Sequence, residues 1–581
     1  MNLDYRYSTR SALTEDAGGA RLGFSTNLLR ETTFFSGQLA TPLLAREGFA
    51  ALYDVVVSDF KWRPKERLAY RLWLETQDRE FVASFGARSL VAKEQLGQLH
   101  QRLRELDASR QFRRKDFTVA RVRYMSFAAR DEMEAYRVLD PVITVHPDEL
   151  SFEAFSRDQS SYARLRLSYE NFSEIDGFEC GTTNIDFSHA LHLHLDRLRS
   201  YRQTRFEIGA GGFASAKLPN AEASTGANEV FEKRIALPEG WIEGFLNVHG
   251  LISMGLTRLQ LAPVDVLNVL KFLMAHKTKI SPRALRFELS PGLPIRIVLE
   301  PWNVSFWCSP LSVYQGAQAQ SIRIWGRDRL RSLLRVLPVT DAVDVYLAGT
   351  GLPSVWVCHL GLGIDVDCAA KAAQVSFTLA LSGWTDNDWV EGDGKFDLLN
   401  KRLEVSAADL DSVYQMLRTL KRAPYEDLAA RTGLATEKVK SAVSVLAQSG
   451  RAMFDLREGV PRHRDLLLEP FSATKAVRLS AQIEAKDPRA ALAKALHAAG
   501  QIVMIARRPV DDAYKLSGNC ALNLQQQARV RPQLHIANTG EIIAASCTCE
   551  AMTRDGLSKG PCEHVLALRL AHRARLEQEH V

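Results

Sequence analysis

Cysteine is scarce. Only 8 occur in 581 residues, and five of them, Cys180, Cys308, Cys358, Cys368 and Cys520, stand outside any cluster. This excludes a disulfide-stapled scaffold, and the dispersed five read as small buried hydrophobes of a protein kept in a reducing cytoplasm. Long apolar runs are missing as well. Two stretches carry no formal charge, but Asn, Ser and Gln dilute Pro301–Ile322, while Gly, Pro, Thr and His break Val345–Ile364. Neither reads as a membrane span. The first thirty residues hold neither a basic segment nor a continuous apolar one, so no secretory signal is expected. Charge of one sign is barely in excess: 74 Lys and Arg against 68 Asp and Glu leave +6, too little by itself to demand a polyanionic partner. No Walker A sequence and no internal repeat occurs.

What is present is an ordinary folded composition, 46% hydrophobic and 24% charged, in a chain long enough for about four domains of ~150 residues. Residues 1–400 read as a mixed α+β region. Val55–Val57, Val142–Val145, Ile295–Leu299, Val343–Leu347 and Val355–Val357 are β-branched runs of strand character. Leu191–Leu198 and Val264–Ala275 carry helical spacing, the second opened by Pro263. Gly209–Gly212 and Pro219–Asn228 read as loops, and Asn387–Lys395 as the approach to a boundary. Residues 102–130 hold nine basic side chains against Glu105, Asp107 and Asp116. Such a strip is the solvated face of a helix or a phosphate-binding surface.

Residues 405–470 change character. Leu410, Val413, Leu417 and Leu420 repeat at three and four, the stripe of a helix with one buried face. Pro424 opens a second helix that Gly433 ends, and Thr436 is placed to cap a third carrying Val439, Val443 and Leu446. Ala452–Leu456, a turn at Glu458-Gly459 and His463–Leu468 then predict a hairpin. This order of elements is that of a winged helix-turn-helix. The third helix offers Lys438, Lys440, Ser441, Ser444 and Gln448 but no Arg, and the unit holds ten basic against seven acidic side chains from 409 to 464. Protein contact is therefore favoured over sequence-specific DNA reading, with DNA binding kept as the alternative.

Residues 471–534 read as a β-rich connector leading to a distinct unit at 535–575. There Glu541–Ser546 delivers Cys547-Thr548-Cys549 at a strand end, and Pro561-Cys562-Glu563-His564 opens the helical run VLALRLA. Side chains two apart on a strand point the same way, so Cys547 and Cys549 can chelate together. Cys562 and His564 complete three thiolates and one imidazole, which fill the tetrahedron of one structural Zn²⁺ and leave no position for a substrate water. Because the local core looks small, the metal is expected to supply much of this unit's folding free energy. Five basic against six acidic residues from 541 to 581 give the finger no pull on nucleic acid.

The pattern Cys-x-Cys, a gap, then Cys-x-His resembles a SWIM-type zinc finger, a ββα module. The longer layout resembles bacterial stand-alone SWIM zinc finger proteins, through Phe34–Gly37, Asp140–Thr144, Gly181–Phe187 and Leu237–Phe245. The resemblance implies protein or DNA interaction rather than catalysis. It also implies an adaptor in a multiprotein system with a MoxR-type AAA+ ATPase or a von Willebrand A domain protein as partner. The stretch Thr76–Arg130 is longer here than in typical relatives, and the finger stands at the far C-terminal end.

Three other patterns lack the context their chemistry needs. Gly556-Leu557-Ser558-Lys559-Gly560 spells a nucleophile elbow but falls within the finger's loop. Gly349-Thr350-Gly351 is followed by a strand rather than a helix, so it reads as a hairpin turn. His189, His192 and His194 do not share one helical face. The expectation from sequence is thus an α+β multidomain, non-enzymatic protein with a mixed α/β N-terminal region, a winged helix and a zinc finger.

Overall fold

Pro42 fixes the first turn of a sixteen-residue helix, Pro42–Val57 (α1), whose Leu44, Ala45, Gly48, Phe49, Leu52, Val55 and Val56 repeat at three and four and are buried. The triplet Val55–Val57, read from its β-branched residues as a strand, is therefore the last turn of a helix; packing of the whole apolar face overrides local propensity. The computed structural model describes residues 2–60, 141–209, 231–361, 375–389 and 403–579, apart from interruptions of one to four residues. The basic strip 102–130, Cys368, the loop Pro219–Asn228 and most of the boundary 387–395 lie outside the described residues.

Val142–Val145 (β1), Glu149–Phe155 (β2) and Ser161–Ser168 (β3) form an antiparallel meander. Gly181–Asn184 (β4) extends it beside β1, and Val375–Leu381, Ser354–Leu360, Thr340–Leu347 and Thr257–Leu261 continue it on the β3 side, giving eight strands. A five-stranded sheet, containing Phe34–Leu39 and one parallel pair, lies across α1 from it. Phe49 of α1 meets Phe24 and Phe206 of the five-stranded sheet at 5.3 and 6.1 Å and Phe152 of β2 at 4.8 Å, so helix and sheets share one aromatic core. Gly48 allows this approach: a Cβ there would stand 2.5 Å from Leu165. A four-stranded sheet, Leu285–Leu289 among its members, adds to the same core. The uncharged run 301–322 and the described part of the other, 345–361, contribute strands and connections, and no helix among the described residues is long and apolar enough to cross a membrane.

Next come Ala407–Leu420 (α2), Tyr425–Thr432 (α3) and Thr436–Gln448 (α4), then an antiparallel hairpin of Ala452–Asp455 (β5) and Val460–His463 (β6). Ser406 caps α2 through Asp409 N, and Gly433 ends α3 at φ +71°, where a side chain would be strained. Thr436 is not the cap of α4; Ala435 holds that position without a side-chain bond. The second hairpin strand is Val460–His463 rather than His463–Leu468, because the tight turn after Asp455 starts it earlier.

Two helices, Ala473–Lys486 (α5) and Pro488–Ala498 (α6), occupy the first half of the stretch expected to be a β-rich connector. Ile502–Val510 (β7), Ala513–Asn523 (β8), Gln533–Ala537 (β9) and Ile542–Ser546 (β10) then form a single sheet, with Gln526–Val530 beside β8. Glu550–Asp555 (α7) and Glu563–Glu579 (α8) close the described chain. Leu496 of α6, Leu516 of β8, Leu534 of β9 and Val565 and Leu568 of α8 lie in one buried cluster. The strands of 471–534 and the elements of the 535–575 unit are thus one packed body, and the core around the cysteines is larger than the sequence reading allowed.

Candidate metal centre

The centre is assembled from two chain segments, each fixed at a strand or helix end. Cys547 follows β10, and Cys549 is the N-cap of α7, its carbonyl accepting from Thr553 N at 2.9 Å. Between them Thr548 Oγ1 accepts from Arg531 N at 2.9 Å, which pins the bend to the loop before β9. Cys562 stands immediately before α8, its carbonyl accepting from Leu566 N at 3.1 Å, and His564 is in the first turn. Cys562 and His564 are buried, while Cys547 and Cys549 are half-buried and pack against the same apolar cluster.

The donor atoms of Cys547, Cys549, Cys562 and His564 all lie within 4.8 Å of one another. Donors about 2.3 Å from a shared zinc stand roughly 3.8 Å apart, so an inward shift of about 1 Å at most would close the tetrahedron. The four side chains can hold one metal ion. Contact with Cys547 and burial push the Cys562 thiol up to about 12, and burial raises Cys549. Burial opposes protonation of His564, but Cys562 and Glu563 outweigh it and raise the imidazole. These directions describe protons shared within a crowded donor set; metal binding would displace them, since the ligating forms are thiolate and neutral imidazole. Glu563 Oε1 stands 3.4 Å from His564 Nδ1, a carboxylate placed to orient the ring.

The remaining sequence candidates are placed elsewhere. Cys308, Cys358 and Cys520 are buried free thiols, and Cys180 is a half-buried one. Cys520 shares the apolar cluster with Cys562 but is not among the four donors. Gly349-Thr350-Gly351 joins two paired strands as a hairpin turn. His192 stacks on Tyr53 at 4.1 Å, a packing role. Gly556 and Gly560 take φ +58° and +83° in the loop between α7 and Cys562.

One arrangement was missed. On β2, Leu150, Phe152 and Ala154 enter the aromatic core, while Glu149, Ser151 and Glu153 point to the opposite face, which is buried too. Hairpin residues cover that face. Arg464 grips Glu153 with two bonds of 2.6 and 2.8 Å, and Arg462 bonds Asp455 at 2.9 Å and Asp148 at 2.8 and 3.1 Å. Arg164 of β3 joins Glu149 at 2.6 Å and Asp455 at 3.4 Å. Burial works to raise the Asp455 carboxyl, but Arg164, Arg462 and Arg166 outweigh it and hold it well below the usual range. The alternation of charges on β2 and β3 was visible in sequence, but period-two polarity ordinarily marks a solvent face.

No protein-family model matches the chain, and no curated protein matches it. Among solved structures, it is similar over 43% of its length to a proliferating cellular nuclear antigen from Entamoeba histolytica, at 10% identity and a TM-score of 0.27, covering 92% of that chain. It is similar over 42% to A. fulgidus PCNA bound by the C-terminal region of FEN-1, at 13% identity and a TM-score of 0.26, covering 90% of that chain. Likeness at this level bears on neither fold nor function.

Proposed function

We propose that this chain is a zinc-binding, non-catalytic adaptor of the bacterial cytoplasm, whose SWIM-type finger and winged helix meet protein partners while catalysis resides in a partner. The observation that carries the reading is the set of four donors, Cys547, Cys549, Cys562 and His564 within 4.8 Å of one another, which would fill every position of a tetrahedral ion with protein atoms. A metal held this way shapes a surface and activates no water.

The helical unit supports protein contact over DNA reading. Ser441, Ser444 and Gln448 of α4 are buried, Gln448 accepting from Ser480 Oγ at 2.5 Å and Ser441 from Leu403 N at 3.0 Å. Lys438 is paired with Asp409 at 2.7 Å, and Lys440 with Glu437 at 3.4 Å. A recognition helix must offer such groups to base edges, and here they are used within the chain. The partner we favour is a MoxR-type AAA+ ATPase or a von Willebrand A domain protein.

Two measurements test the reading. Metal analysis of the purified chain is expected to find one zinc per molecule, with Cys562→Ala losing it; full zinc in that variant would refute the site. Tagged full-length chain purified from its own cell should bring down an ATPase that the Cys562→Ala variant does not. Salt-steep DNA binding by the intact chain, with no ATPase recovered, would favour the DNA-binding alternative.

A further inference from the structure

Access and reactivity are unevenly shared among the described thiols. Cys308, Cys358 and Cys520 are at most 6% exposed, and burial raises the first two to about 12, so these are enclosed and protonated. Cys180 is half-buried but stands outside the donor set, and burial raises it too. Cys547 and Cys549 are also half-buried, on a segment whose Ser546, Thr548 and Glu550 are exposed. A thiol that ligates a metal is held as thiolate, which is the nucleophilic form. Thiolate and access therefore coincide at the metal centre.

The sulfurs are also placed to join. All four donor atoms lie within 4.8 Å of one another, and the Cys547 and Cys562 thiols are in hydrogen-bond contact. Sulfurs of a disulfide stand about 2.05 Å apart, so an approach of less than about 3 Å would bond them. Cys547 and Cys549 have a single residue between them, a short tether that resists ring closure, whereas Cys562 arrives from a separate segment before α8. Cys562 is only 3% exposed, so an oxidant from solvent meets Cys547 first. The chain ends that would move are tips of elements, while Leu516, Leu534 and Val565 behind them are fully buried.

We propose that Cys547 is an oxidation site for hydroperoxides and Cys562 its resolving thiol, so that the surface shaped by the metal exists only in the reduced protein. The Cys547 thiolate attacks the peroxide O–O bond and takes one oxygen as sulfenic acid, while the other leaves and, with a proton, becomes water or an alcohol. The Cys562 thiolate then attacks the Cys547 sulfur and expels hydroxide, which takes a second proton. Two thiolates have lost two electrons and the peroxide has gained them. Only Cys549 and His564 remain as donors, too few to keep the ion. In a reducing cytoplasm such a disulfide is transient, as a sensor requires. The proposal rests on the metal reading of the four donors and adds its regulation.

The test uses the full chain, reduced and analysed for zinc, then treated with excess hydrogen peroxide while a colorimetric chelator reads the metal set free. One zinc is expected to leave per disulfide formed. Mass spectrometry of the digested chain should join the Cys547 and Cys562 peptides, and dithiothreitol with added zinc should reverse both changes. Cys547→His keeps a fourth donor but offers no sulfur there, and should slow release at least about tenfold, while Cys180→Ser should leave it unchanged. Should Cys547→His fail to hold zinc, the disulfide mapped in the parent decides. Absence of zinc from the reduced chain refutes the metal reading and this proposal with it. Zinc present but retained under peroxide, or released with a disulfide that leaves out Cys547 or Cys562, overturns this proposal alone.

Discussion

His249 shows what burial does to one side chain. It lies on the helix Trp241–Ile252, 7% exposed, and burial followed by the nearby Arg464 guanidinium lowers its imidazole to about 4. The unfolded chain protonates it near its ordinary value of about 6.5, so between those values the unfolded state binds more protons than the native one. Stability is therefore full above about 6.5 and falls as pH drops toward 4, by up to about 3 kcal/mol for this group. His463, also lowered to about 4, adds to the same fall. Urea unfolding at neutral pH and at about pH 4.5 should show a smaller difference in His249→Gln than in the parent, by about 2 kcal/mol. Because the readout is a difference between two pH values, any pH-independent cost of the substitution cancels. An unchanged difference would mean that His249 is protonated inside the fold.

At the scale of elements, the hairpin β5–β6 and the residue that follows it, Arg464, are held to β2 and β3 by buried charge. Arg464 spans Glu153 and packs its guanidinium 4.6 Å from the Phe245 ring, and Tyr162 donates to the same carboxylate at 2.6 Å. Arg464→Met would leave Glu153 buried and without its charge partner, which costs about 3–5 kcal/mol. The double variant Glu153→Gln with Arg464→Met should recover much of that loss, since replacing both members of a buried pair is far cheaper than removing one. Equal costs for the single and double variants would show that the pair is not coupled. This docking also separates what was legible in the chain from what was not. Helices α2, α3 and α4 were legible because Pro424, Gly433 and the apolar spacing all speak through local geometry. The ends of β10 and α8 were legible because cysteine and histidine at metal-ligand spacing have few other uses. The helical state of Val55–Val57 and the burial of Glu149 and Glu153 were not, because both depend on partners far away in sequence: Leu165 and Phe152 across the core, Arg462 and Arg464 some three hundred residues on.

For the molecule as a whole, the question is how far the loss of one metal ion spreads. In a small zinc finger the metal supplies the folding free energy outright, and removing it unfolds the module. Here the ligand-bearing ends are built onto a larger body: Leu516, Leu534, Ile536, Val565 and Leu568 are fully buried together, and Leu352 of the N-terminal region joins them. The edge strand β10 is also tied across, Gly255 N donating to Ile542 O at 3.1 Å. With the metal gone, the Cys562 thiol, raised to about 12, stays protonated, and a protonated buried cysteine packs as a small hydrophobe. Chelation at neutral pH should therefore raise amide exchange in residues 547–564 and the first turn of α8, while β8, β9 and the eight-stranded sheet keep their protection. Global loss of protection on chelation would show instead that the four ligands hold up the entire C-terminal body. The local outcome follows from where the donors sit: at the ends of elements whose middles are already buried, so that a metal held there would fix the shape of one surface and leave the core to the apolar side chains.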